Sequence, residues 1–440
     1  MSTPLRIKEI YISKLYGIYN HKVTLKDEGI TIIHGANGVG KTAVLKSLKY
    51  LFDWDMDALS GIPFRTMHVG LSDDTKISIA RSLDDNKLLS RSNNGLIGPL
   101  EISFFKGANG HVETVLPVDP ELYKVAEAVA DNQPWLKKIQ RGLWVDESTG
   151  KAVDIWDVAE KYLPPRHKKK RTRSAFFDKI RKAVNVKMID TNRLARRDEG
   201  RRELNVESCA ADMLEKIEQV SSEYAKRSQK LDQSFPHRLI MGQHDALESN
   251  VVETRLKHLE SYQAWLSSMG LLATFDGPAF PSDVRALSRG KLETISLFVQ
   301  DSEKKLDAFS ELAERCYILL ELLREKFKHK HLMISKEKGL SVVDEAGSEI
   351  PLTSLSSGEQ HEIVINYELL FKTPENCLLL IDEPEISLHV KWQRSFIGDL
   401  SRIAKVVGFE TLIATHSPFI VGDNHHLMES LDEIGDSDDY

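Results

Sequence analysis

Eight residues constrain this chain more than any others. Gly35-Ala36-Asn37-Gly38-Val39-Gly40-Lys41-Thr42 lies between a β-branched apolar run, Gly29 to His34, and a stretch in which Val44, Leu45, Leu48, Leu51 and Phe52 share one helical face. The pattern G-x-x-x-x-G-K-[ST] between strand and helix directs main-chain N–H groups of a tight turn toward one point at a helix N-terminus, where an anion is stabilised. Lys41 is then placed to reach the outer phosphates of a nucleotide. Thr42 can offer a hydroxyl to magnesium, which takes few protein ligands besides phosphate oxygens and water. An idle glycine turn would account for the glycines but not for the flanking strand and helix.

More than three hundred residues later, Leu378 to Pro384 reads L-L-L-I-D-E-P. An aliphatic run ending in two carboxylates is what a buried parallel strand delivers to its C-terminal edge. Asp382 is placed to hold magnesium through water, and Glu383 to orient or deprotonate a water attacking the γ-phosphate. Upstream, L-S-S-G-E-Q at Leu355 to Gln360 precedes the apolar helix pattern of Ile363, Val364, Ile365, Leu369 and Leu370. Alone it reads as a helix N-cap. L-I-A-T-H-S-P at Leu412 to Pro418 ends a further strand on His416, which alone reads as a structural histidine.

Taken in this order, the motifs resemble the heads of ABC/SMC-like ATPases. The resemblance implies that Ser356, Ser357, Gly358 and Glu359 form a signature that meets the γ-phosphate held by an opposite subunit. It also implies that Glu385 to His389 is the D-loop and that His416 senses the γ-phosphate. It covers roughly residues 5–60 and 332–422. A weaker likeness at Ile189 to Leu194 and Leu231 to Arg238 is to bacterial AAA ATPases of the overcoming-lysogenisation-defect type, among them the ATPase subunits of the Septu and PARIS antiphage systems. The signature reads S-S-G-E where transporter ATPases have S-G-G-Q, and the interval between Lys41 and Asp382 exceeds that of a transporter cassette, which disfavours a transporter. No glutamine-loop residue is assigned; Asp190 and Arg193 are candidates for the site's surroundings.

Composition excludes little: 41% hydrophobic and 28% charged residues are ordinary for a globular chain. A net charge of −7 argues against a uniformly basic surface, yet Arg166 to Arg173 reads R-H-K-K-K-R-T-R and the residues from His425 onward carry six carboxylates without Lys or Arg. The basic run can grip a phosphate backbone or be a solvated loop, and Phe176-Phe177 beside it can pack on a partner. The acidic end is expected to be a disordered tail. No apolar run reaches eighteen residues and no signal core opens the chain, so the expectation is a cytoplasmic protein without a membrane partner. Cys209, Cys316 and Cys377 lack metal-ligand spacing and read as reduced core thiols.

The predicted fold class is α/β: an ABC-type ATPase head with a mixed and parallel sheet, flanking helices, a small antiparallel lobe and an α-helical insertion. Its parts are residues 1–205 with the phosphate loop and lobe, 206–330 as the insertion, 331–424 with signature, Asp-Glu strand and His416, and 425–440 as the tail. Residues 120–182 read mainly as helix. In the insertion Leu292, Ile295, Val299, Leu306, Phe309, Leu312, Cys316, Leu319 and Leu323 follow 3–4 spacing, while Pro236, Gly270, Pro278 and Pro281 interrupt it, so a compact bundle is expected and not a long coiled-coil arm.

Functionally, the reading is an ATPase using ATP and Mg, assembled as a homodimer or higher homo-oligomer. It serves as sensor or regulatory subunit of an antiphage defence complex. The two dozen residues after His416 leave no room for a Toprim domain of roughly a hundred residues, so cleavage is assigned to a separate HNH or Toprim nuclease subunit. The alternative is a DNA-repair or chromosome-maintenance ATPase that binds DNA over its dimerised heads. Slow hydrolysis, with ATP acting mainly to hold or inhibit the assembly, is equally compatible.

Overall fold

The structure is a computed structural model that describes residues 5–81, 100–107, 110–115, 125, 128–140, 143–147, 152–154, 174–190, 205–242, 247–273, 287–386 and 390–431. The chain divides into two units: Met1–Thr191 with Glu375–Glu385 and Gly408–Tyr440, and Asn192–Pro374 with Ile386–Val407.

The first unit opens with β1 (Ile7–Leu15), β2 (Tyr19–Thr24), β3 (Ile30–His34), α1 (Lys41–Asp53) and α2 (Met56–Ser60), then β4 (Thr66–Leu71), β5 (Thr75–Arg81), β6 (Leu100–Lys106) and β7 (His111–Val115). Strands β2-β1-β4-β5-β6-β7 form an antiparallel sheet in that order. Alternation makes it: Ile77 and Ile79 of β5 and Ile102 and Phe104 of β6 are buried while the residues between them face outward. This is the expected antiparallel lobe, enlarged by the opening strands.

Further along come β8 (Leu136–Gln140), β9 (Leu143–Asp146), β10 (Ala152–Asp154), α3 (Ala175–Ala183) and β11 (Asn185–Asp190). The mainly helical reading of 120–182 is therefore corrected at residues 136–140, 143–146 and 152–154. β8, β9 and β10 form an antiparallel sheet, and α3 is the longest helix among the described residues there. The period of two prevails because Trp144 is fully buried with its indole N–H donating to Asp131 Oδ1 at 3.0 Å. Phe176 and Phe177, read as a partner surface, instead pack inside the unit: Phe177 is buried against Phe52, Trp54 and Phe104. The basic run, Arg166 to Arg173, lies outside the described residues.

The unit closes with β15 (Cys377–Asp382), β16 (Glu410–Ala414), α11 (Pro418–Val421) and β17 (Met428–Ser430). Together with β3 and β11 these strands form a wholly parallel sheet in the order β11-β15-β16-β3-β17. Every residue of β15 is buried, as a central parallel strand requires. The expected tail from residue 425 starts later: Met428–Ser430 pairs with Ile32–His34, and Leu431 N–H donates to the His34 carbonyl at 3.0 Å. Residues 432–440 lie outside the described residues.

The second unit contains α4 (Val206–Ile240), α5 (Ser249–Ser268), α6 (Arg289–Leu306), α7 (Ser310–Lys326), β12 (Lys330–Ser335), β13 (Gly339–Asp344), β14 (Glu349–Ile350), α8 (Ser357–Tyr367), α9 (Val390–Gln393) and α10 (Phe396–Val407). A π-helical turn, Glu368–Lys372, extends α8. Pro236 does not break α4, which runs about 52 Å at 1.5 Å per residue. Near its end Arg238 grips the buried Asp301 of α6 through its two terminal guanidinium nitrogens, at 2.8 and 2.5 Å. Residues 331–374 belong with the helices and not with the parallel sheet. Gly339, at φ +68°, lies so close to α4 that a Cβ would meet the Ala210 carbonyl oxygen at 2.0 Å. All three cysteines are buried, and burial pushes Cys209 up to about 12 and Cys377 up to about 11, which keeps them unreactive. No helix among the described residues is long and apolar enough to cross a membrane.

Candidate nucleotide site

Because all five strands of the parallel sheet run the same way, their C-terminal ends share one edge, the place where open α/β sheets bind ligands. β3 leads into the Gly35–Thr42 loop, β15 ends on Asp382 with Glu383 next along, and β16, between them, leads to Thr415 and His416. Asp190 ends β11 with its backbone in register with Asp382. Arg193 lies outside the described residues.

The loop is shaped by its glycines and by α1. Gly40 has φ +100° and sits where a Cβ would meet Leu15 Cδ2 at 2.5 Å, so the last turn before the helix admits only glycine. Beneath it Val44, Leu45, Leu48 and Leu51 are fully buried, fixing the direction of α1 against the sheet. His21, buried on β2, holds the Val39 carbonyl through Nε2 at 2.7 Å; its burial lowers its pKa. Sequence reading missed this contact, although His21 shares a strand face with Val23 and Tyr19.

Lys41 is almost wholly buried. Its ammonium donates to the Gly35 and Ala36 carbonyls at 2.8 and 3.1 Å and meets His416 Nδ1 at 3.2 Å. Burial lowers the Lys41 pKa, while Glu383, Glu385 and Asp382 oppose that shift. An ammonium can only donate, so Nδ1 is the acceptor for Lys41, and Nε2 faces Glu383 Oε1 at 3.9 Å. Thr42 Oγ1 donates to Asp382 Oδ1 at 3.0 Å. These two oxygens, one from the first turn of a helix and one from a buried strand end, suit a hard cation that takes its remaining ligands from water and phosphate.

Glu383 leaves the strand at φ +46°, a left-handed conformation uncommon for a non-glycine residue, and its N–H donates to the Ala414 carbonyl at 2.8 Å. That bond completes the Asp382–Ala414 pairing that closes β15 against β16, and, two residues on, the Glu385 carboxylate stands against the His416 segment. Glu385 Oε1 accepts the His416 N–H at 2.7 Å, and Oε2 accepts the Thr415 hydroxyl at 2.8 Å. Thr415 Oγ1 in turn accepts the Ser417 N–H at 3.0 Å. Sequence reading placed Glu385 in the D-loop without this role.

The signature segment lies in the second unit, at the start of α8. Ser356 is the N-cap: its Oγ accepts the Glu359 N–H at 3.3 Å, and Glu359 Oε2 accepts the Ser356 N–H at 2.9 Å and hydroxyl at 2.8 Å. Lys330 donates to both Glu359 oxygens at 2.9 and 3.0 Å. Burial would raise the Glu359 pKa, but Lys330 and Ser356 hold it below the usual carboxylate range. Glu359 thus closes a capping box and anchors β12, which explains a glutamate at this position. Gly358 lies where a Cβ would press on Trp392 at 3.3 Å, and Ser357 stays exposed.

A phosphate loop, a strand-end Asp-Glu pair and a histidine on the intervening strand define a P-loop nucleotide-binding protein. The family model described as "AAA ATPase domain" matches residues 6–421, and the chain belongs to that family of ATPases. A curated relative, UvrABC system protein A of Chlamydia pneumoniae, is 31% identical over 90 residues, which is 20% of this chain and 5% of that protein. The chain therefore spans only a small part of that relative's length. Among solved structures it is similar to the Smc head domain of Pyrococcus furiosus with an extended coiled coil, bound to the C-terminal domain of ScpA. The TM-score is 0.34 and the identity 12%, over 95% of this chain and 91% of that one. It is also similar to the SMC head domain of Thermotoga maritima, with TM-score 0.33 and 10% identity over 97% and 94%. At these scores the likeness is too loose to carry any property over.

Proposed function

We propose that this ATPase is the regulatory subunit of a bacterial antiphage defence complex, in which ATP-dependent head-to-head assembly controls a separate nuclease effector. Nucleotide lies in the Gly35 to Thr42 loop, with Lys41 on the outer phosphates, and Thr42 and Asp382 hold magnesium, which would neutralise phosphate charge there. Glu383 orients the attacking water and His416 contacts the γ-phosphate. The observation that carries the reading is that Lys41, Thr42, Asp382, Glu383 and His416 converge at one sheet edge. The signature's Ser357 is exposed at a helix start whose first N–H groups have no partner within the helix. That leaves it free to meet a phosphate bound by a second copy.

Assembly then depends on ATP, and hydrolysis releases it. The defence role and the nuclease of HNH or Toprim type rest on the likeness of the motifs to overcoming-lysogenisation-defect-type ATPases. The test is mass determination of the Glu383→Gln protein with and without ATP, followed by native copurification. A mass that ATP leaves at that of one chain sinks the assembly, and tight duplex-DNA binding with no copurifying nuclease turns the reading toward DNA maintenance.

A further inference from the structure

The geometry points to Glu385 as a positioning residue for hydrolysis, a carboxylate bracket that holds the Thr415 hydroxyl and the His416 backbone N–H so that the His416 ring stands between Lys41 and Glu383. The inference rests on the reading of His416 as the group that contacts the γ-phosphate and names what fixes it there. Glu385 accepts from the His416 main chain at 2.7 Å and from the Thr415 hydroxyl at 2.8 Å. Thr415 is buried and takes the Ser417 N–H at 3.0 Å, and the Ser417 hydroxyl caps the next turn by accepting the Phe419 N–H at 3.2 Å. The Thr415 N–H still donates to the Ile33 carbonyl of β3 at 3.4 Å, but strand pairing ends at Ala414, and the His416 N–H is held by the Glu385 side chain. Glu385 reaches both residues from a short 3-10 turn, Pro384–Ile386, whose start is set by the left-handed Glu383.

Two carboxylate oxygens on adjacent residues fix rotation as well as position. His416 Nδ1 lies 3.2 Å from Lys41 and Nε2 lies 3.9 Å from Glu383. A shift of about 1 Å in the backbone at 416 breaks both approaches, and misplacement on that scale costs about a hundredfold in rate. Glu385 also lies in the field of Lys41, so its charge is a competing explanation. The amide of Glu385→Gln separates the two, since its oxygen accepts the His416 N–H and its NH₂ donates to Thr415 Oγ1 without a charge.

The experiment measures kcat, KM and ATP affinity for Glu385→Ala, Glu385→Gln, His416→Ala and the Glu385→Ala/His416→Ala double variant, each checked for an unaltered melting curve. The expected result is a kcat about ten- to a hundredfold lower for Glu385→Ala with ATP affinity within about threefold of wild type. Glu385→Gln should stay near wild type, and Glu385→Ala should cause no further loss once His416 is alanine. A Gln variant as slow as the Ala variant, additive losses in the double variant, or a melted Glu385→Ala that Gln does not rescue overturns the bracket. If His416→Ala alone hydrolyses ATP at the wild-type rate, the γ-phosphate role of His416 fails as well.

Discussion

Thr42 Oγ1 and Asp382 Oδ1 are 340 residues apart in sequence and 3.0 Å apart in space. The hydroxyl on the first turn of α1 donates to the carboxylate that ends β15, so two protein oxygens already stand side by side where a hard cation needs them. Thr42→Val keeps the shape and removes one oxygen; Asp382→Asn keeps the shape and removes the charge. Both variants should raise the magnesium concentration for half-maximal ATP hydrolysis by about tenfold or more. Magnesium titration of initial rates checks this, and an unchanged midpoint in both variants removes the pair from the metal site.

Glu383 combines a left-handed backbone, φ +46°, with a following proline, and both disfavour its conformation. Glycine tolerates that backbone, so Glu383→Gly should be no less stable than wild type and up to about 1 kcal/mol more stable by thermal unfolding. Single-turnover ATP hydrolysis should fall about a hundredfold. A variant that is both clearly destabilised and fully active would mean that the backbone here is unstrained and the carboxylate idle.

What was legible in advance was whatever is encoded by short-range pattern. The glycine loop, the aliphatic run to Asp382 and the strand ending before His416 each carry their own period and punctuation, and the parallel sheet then brings their ends to one edge. Glu385 and His21 were not legible in their roles, because each acts on a backbone group delivered by a distant strand. Phe176 and Phe177 misled because a basic run precedes them, whereas their rings fill space beside Phe52 and Phe104. The helical reading of 120–182 fails at Leu136 to Asp146, where pairing of β8 with β9 and the buried Trp144 on Asp131 make a sheet. Pro236, an expected break, sits inside α4 beside the Arg238 and Asp301 pair.

His68 on β4 stacks on Tyr11, and its Nδ1 is buried without a hydrogen-bond partner. Burial, helped by Lys76 and opposed by Glu9, lowers its pKa from the ordinary 6.5 to about 4. Between these values the unfolded chain takes up a proton that the folded chain refuses, so stability present above pH 6.5 is lost as pH falls through that window. The loss from this group is about 3 kcal/mol in full. Urea unfolding of His68→Phe at pH 7.5 and pH 5 should show a smaller acid loss than wild type, and equal losses would mean that His68 titrates normally.

Lys326 lies between two buried carboxylates, donating to Glu362 at 2.6 Å and Asp399 at 2.9 Å, and Glu362 Oε1 has no hydrogen-bond partner. Lys326→Met would strand both acids in the interior of the second unit, at a cost of about 3–5 kcal/mol. Glu362→Gln removes one charge and leaves an oxygen for Lys326, so it should cost about 1 kcal/mol or less. Urea midpoints of the two variants measure the difference, and comparable values would mean that the lysine is solvated.

Ser356 and Ser357 are adjacent but do different work, which separates the stability of α8 from its use. Ser356 accepts the Glu359 N–H as N-cap, so Ser356→Ala should cost about 1 kcal/mol in unfolding. Ser357 is exposed, so Ser357→Arg should change stability by no more than about 0.5 kcal/mol. If the second copy's nucleotide sits against this turn, the arginine side chain occupies that space. Ser357→Arg placed in the Glu383→Gln background should then remain a single chain with ATP by mass, while Ser356→Ala in the same background still assembles at temperatures where it is folded. Assembly of the Ser357→Arg protein at the same ATP concentration as its parent would move the contact away from the start of α8.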